Sequence, residues 1–89
     1  MKNLNEILKS NKQVWFEIEK KDLQNFLQFA KNNGCKWIGG DEIDVSKDKC
    51  GNHMGIGNEK ELGFVSMMCW VLNADERVVK LKFNELKEM

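Results

Sequence analysis

Between Val14 and Gly34 the apolar residues of this chain change period once, and that change constrains the fold more than any other feature. Val14, Phe16 and Ile18 alternate with Trp15, Glu17 and Glu19, the period-two pattern of a strand with one buried face. Leu23, Phe26, Leu27 and Ala30 then share one stripe of a helix running from about Lys21 to Asn33, with Phe29 at its edge. Gly34 follows, where a left-handed residue ends a helix without a Cβ clash. Strand and helix each have one side to bury, and a sheet carrying the helix on one face satisfies both.

The rest of the chain extends that plan. Leu4, Ile7 and Leu8 recur at helical spacing and predict a short amphipathic helix ending near Ser10 and Asn11, too short to stand alone. After Gly39 and Gly40, residues 42–45 read as a short strand, and the polar, Gly-rich residues 46–61 as a long loop with a short strand near 54–57. Residues 64–72 are nearly all apolar, as expected of a central strand covered on both faces, which would place Met67, Met68 and Trp70 in the core. Asn73, Ala74, Asp75 and Glu76 turn the chain into a strand over 77–83, with Val79, Leu81 and Phe83 inward and Lys80 and Lys82 outward. Asn84 is placed to cap a last helical turn containing Leu86. The order predicts one α+β domain over 1–89: a mostly antiparallel sheet of about four strands, one long helix on one face, and a short N-terminal helix.

A chain of 89 residues gains only marginal stability from burial, so a structural metal would be useful. The residues for one are present. His53 lies just beyond Cys50, and Cys35 and Cys69 fall to either side, together a possible Cys3His set for a closed, structural zinc site, with Asp44 or Asp48 able to replace one thiol. The competing reading is ordinary burial of Cys35 and Cys69 as small apolar residues. It is less natural for Cys50 and His53, which stand in a polar stretch. The N-terminus is polar and no apolar run reaches a membrane span, so a cytoplasmic location with reduced thiols is expected.

Lys+Arg and Asp+Glu balance at 14 each, which excludes a global field drawing the chain to nucleic acid or to an anionic membrane. No catalytic set emerges. Cys50 and His53 lack an orienting third group, the carboxylates of Asp41, Glu42 and Asp44 suit a solvated turn, and residues 55–60 lack the Gly-Lys-Ser/Thr ending of a phosphate loop. Gly51, Gly55 and Gly57 are therefore read as flexibility, and the chain as no enzyme. Trp15 is the better clue. It shares a strand face with Glu17 and Glu19, so it is a candidate partner-binding anchor, the alternative being burial under the N-terminal helix. Trp37 is expected to plug the end of the core behind Phe29.

Residues 26–40, with Phe26, Phe29, Gly34, Trp37, Gly39 and Gly40, resemble a helix, Gly, Trp, Gly pattern of small phage and prophage proteins. Some proteins of that setting are anti-CRISPR proteins, and the Lys- and Asn-rich composition is compatible with such a source. The resemblance implies a stoichiometric inhibitor of a bacterial defence effector, a type II CRISPR nuclease among them, acting in the host cytoplasm by protein contact and without binding nucleic acid directly. It assigns no residue a role. The alternatives are a binder of a small nucleotide signal, and a nucleic-acid-associated regulator using Lys20, Lys21, Lys47 and Lys49.

Overall fold

The computed structural model describes residues 4–10, 13–73 and 75–86. The first three residues, Asn11 at the expected end of the first helix and Ala74 in the expected turn lie outside them, as does the side chain of Leu86. Helix α1 (Leu4–Ser10) leads to strand β1 (Gln13–Glu17), a single 3-10 turn (Lys20–Asp22) and helix α2 (Leu23–Asn32). Strands β2 (Lys36–Trp37), β3 (His53–Gly57) and β4 (Glu61–Phe64) follow, then helix α3 (Met67–Leu72), strand β5 (Val78–Lys82) and a 3-10 turn (Phe83–Leu86).

The fold is α+β, built on a five-stranded sheet of order β2-β4-β3-β1-β5. The sheet is mixed: β3 pairs antiparallel with β1 and β4, while β1 with β5 and β2 with β4 run parallel. The expected mostly antiparallel sheet therefore gains a strand and two parallel pairs. Long crossovers between parallel strands leave no short turn signal, and only tertiary pairing reveals them.

One face of the sheet carries the core. Val14, Phe16, Met54, Ile56 and Leu62 are buried on it, with Leu4, Ile7 and Leu8 of α1 and Phe26, Leu27, Phe29 and Ala30 of α2 above. The alternation in β1 decides which side this is, since Val14 faces Ile56 and Val79 across the pairing, and Phe16 faces Met54 and Leu81. Phe16 sits at the centre, its ring 5.1 Å from Phe26 and 5.9 Å from Phe29. Helix α2 ends as its sequence demands. Gly34 takes φ +80, its N–H donates to Lys31 O and that of Cys35 to Ala30 O, the paired bonds of a Schellman termination.

Two expected strands do not form. Residues 42–45 are a loop in which Ile43 is buried in the core and Asp48 Oδ2 accepts from Asp44 N–H at 2.8 Å and from Trp37 Nε1 at 2.7 Å. Trp37 is thus half-buried at the sheet edge, stacked on Phe64 with ring centres 5.7 Å apart. The run 64–72 is split, because β4 ends at Phe64 and Ser66 caps a new helix, its hydroxyl accepting from Cys69 N–H at 3.1 Å. Met67 and Met68, expected in the core, are exposed on α3.

Candidate functional site

The second face of the sheet is built from the other half of each strand's alternation: Gln13, Trp15 and Glu17 of β1, His53, Gly55 and Gly57 of β3, Gly63 of β4 and Lys80 of β5. Gly55 and Gly57 are there for close approach, not flexibility. A Cβ at Gly55 would lie 2.9 Å from the Trp15 ring, so the indole rests directly on the β3 backbone. The Glu61 side chain lies across Gly57 in the same way. At Gly63 a Cβ would meet nothing within 4 Å, which leaves open space above β4.

Helix α3 covers only part of this face, with Trp70 as the α3 ring that packs on it. The Trp70 ring stacks 6.3 Å from Trp15 and lies 4.7 Å from His53, while Lys80 Nζ sits 5.6 Å from the ring centre and donates to Trp70 O at 2.6 Å. Lys80 thereby places a cation at the helix C-terminus, where the carbonyls need a donor. His53 is enclosed by this arrangement, its side chain 11% exposed and its Nε2 3.9 Å from Glu17 Oε2. Cys69 borders the sheet beside Trp15, and the apolar side chains of α3 other than Trp70 are largely exposed. Met67, Met68, Val71 and Leu72 are 60%, 71%, 66% and 72% exposed, and Ile38 and Phe64 beyond the helix are 76% and 63% exposed.

Where α3 stops, a recess of about 380 Å³ opens on the sheet. Gly55, Gly57 and Gly63 line it together with Trp15, Ile38 and Val65. Glu61, Gln13, Ser66 and Cys69 contribute its polar groups. Trp15 Nε1 donates to Gln13 Oε1 at 2.6 Å, which fixes the plane of the ring. Trp15 also borders a shallower groove on the far side with Met68, Cys69 and Leu72, so the recess and the exposed side of α3 form one continuous surface.

The zinc expectation fails on this geometry. Among the described residues no group of His, Cys, Asp and Glu is gathered to hold a metal ion. Cys35 is buried in the core behind α2, and Cys50 is half-buried against that core with its Sγ donating to Gly51 O at 3.4 Å. Cys69 is exposed on α3 and His53 sits under Trp70, both on the opposite side of the sheet. Burial pushes the Cys35 and Cys50 thiols up to about 11, as for small apolar residues packed in or against the core. Asp44 and Asp48 are no substitutes. Asp48 is committed to Trp37 and the Asp44 backbone, and Asp44 Oδ1 accepts from Ser46, whose hydroxyl and N–H hold the Asp44 carboxyl below the usual range.

Comparison of the chain with protein-family models, with curated proteins and with solved structures finds no match. Among the described residues no helix is long and apolar enough to cross a membrane.

Proposed function

We propose that this chain works by stoichiometric, non-catalytic binding of another protein, through the surface formed by α3 and the adjoining recess. One observation carries the reading: Met67, Met68, Val71 and Leu72 are all at least 60% exposed along a helix in which no residue is buried. Contiguous apolar area of this kind is costly to leave in water and marks contact surfaces. The core has no use for it, being complete on the other face. Trp15 borders both parts of the surface, which supports the expectation that it anchors a partner. Two flexible methionines beside rigid indoles suit an interface that adapts to its target.

The resemblance of residues 26–40 to small phage proteins makes a bacterial defence nuclease, a type II CRISPR nuclease first, the partner to test. In a titration of such a nuclease, cleavage should fall to zero at about one chain per enzyme, as expected of inhibition by occupancy. The double variant Met68→Lys/Leu72→Lys, and the wild-type chain alkylated at exposed Cys69, should both lose inhibition while remaining folded. Undiminished inhibition by the double variant would remove α3 from the interface, and an unaffected nuclease at excess chain would remove this partner. Sedimentation of the free chain covers the remaining case: a dimer that the double variant dissolves would mean that α3 closes on a second copy.

A further inference from the structure

Resting on that reading, we infer that the recess beside α3 is a receptor for one arginine side chain of the bound protein, with Glu61 as its counter-charge. Its size is the first argument. About 380 Å³ lies at the bottom of the roughly 300–1,000 Å³ range of clefts that hold drug-sized ligands, which suits a long side chain better than a cofactor. Its charge is the second. Among the described residues Glu61 is the one lining residue with a formal charge at neutral pH, and no described lysine or arginine lines the recess.

Two described cations close to Glu61 in the chain or the sheet are turned elsewhere. Lys36, paired with Glu61 in the β2–β4 register, directs its Nζ to Glu42 Oε1 at 3.5 Å, and the charge of Lys60 acts on Cys35 on the core side. Among the described residues Glu61 forms no ion pair. Its carboxylate, laid across Gly57, is thus presented without an ion-pair partner among the described residues, at the end of an apolar trough.

The carboxylate of Glu61 beside the open space above Gly63 favours a guanidinium. Trp15, fixed by Gln13, forms one wall of the recess, and the open space above Gly63 leaves room for the methylene stem. Arginine brings a planar fork that pairs with a carboxylate through two parallel hydrogen bonds, whereas lysine supplies a point charge only.

The test uses the full chain and N-acetyl-arginine N-methylamide, followed by amide and indole chemical shifts. Saturable shifts should appear at Gly55, Gly57, Gly63 and the Trp15 indole, and the neutral citrulline analogue should bind about tenfold more weakly. Gly63→Val fills the open space above β4 with a good strand former, and it should keep the dispersed spectrum while abolishing those shifts. Glu61→Gln should reduce arginine binding to the citrulline level. Equal binding of the two amides, shifts elsewhere on the chain, or unaltered binding by Gly63→Val would each overturn the inference. Its failure is separable from that of the proposed function: a Gly63→Val chain that still inhibits, beside an inactive Met68→Lys/Leu72→Lys chain, leaves α3 as interface and the recess without a role.

Discussion

The two faces of the sheet are made from the same strands and have opposite characters. On one, Val14, Phe16, Met54, Ile56 and Leu62 are buried beneath two helices, with side chains meeting side chains throughout. On the other, glycine stands at 55, 57 and 63, a single short helix rests on Trp15 and His53 through Trp70, and apolar side chains point to water. A face that served only to stabilise the fold would be filled like the first. The second keeps space and exposed apolar area, features useful to a contact and costly to a monomer.

The largest expected effect separates the faces by stability. Phe16→Ala removes the ring around which Phe26 and Phe29 are arranged and should cost about 3–5 kcal/mol, whereas Trp70→Ala, on the half-open face, should cost roughly half as much. Denaturant unfolding of the two variants measures the gap. Equal losses would mean that the α3 face is a second core.

Gly55→Val comes next. Its Cβ would meet the Trp15 ring at 2.9 Å, so the indole must move, at an expected cost of about 1–3 kcal/mol with a shifted Trp15 fluorescence spectrum. The same change at Gly63 meets open space and should be close to neutral. If Gly63→Val destabilises as much as Gly55→Val, the recess is not the open trough described above.

A chemical contrast sharpens the comparison without mutation. In the native chain a thiol reagent at neutral pH should modify exposed Cys69 first, with Cys35 and Cys50 slower by orders of magnitude because burial both shields them and raises them to about 11. Mass spectrometry after timed alkylation reads the order. The smallest effect concerns metal: added zinc should leave the melting temperature unchanged, and a clear rise would revive a site that the described geometry does not contain.

What the sequence disclosed follows the same division. The core face was legible, because alternation in β1 and the stripe of α2 name their buried residues directly, and Gly34 marks the helix end. The second face was legible only in part. Trp15 falls opposite Val14 and Phe16 as the alternation requires, yet its cover is α3, since the α1 stripe joins the core on the other side. Residues 64–72 misled because a short apolar run fits a buried strand or a helix equally well, and Ser66, a good N-cap placed before Met67, was the available signal. Gly55 and Gly57 read as flexible in the sequence because the side chains lying across them come from Trp15, in another strand, and Glu61, beyond a turn. Cys50 and His53 are close in sequence, but the chain turns between them, sending the thiol toward the core and the imidazole under Trp70.

The central claim, that the exposed side of α3 serves contact and not folding, is tested most directly by the unfolding free energy of Met68→Lys/Leu72→Lys set beside its affinity for the protein that the wild-type chain binds. Stability should stay within about 0.5 kcal/mol of wild type, as for exposed positions, while affinity falls at least tenfold. A double variant that unfolds several kcal/mol more readily, or that binds as tightly as the wild type, would contradict the claim.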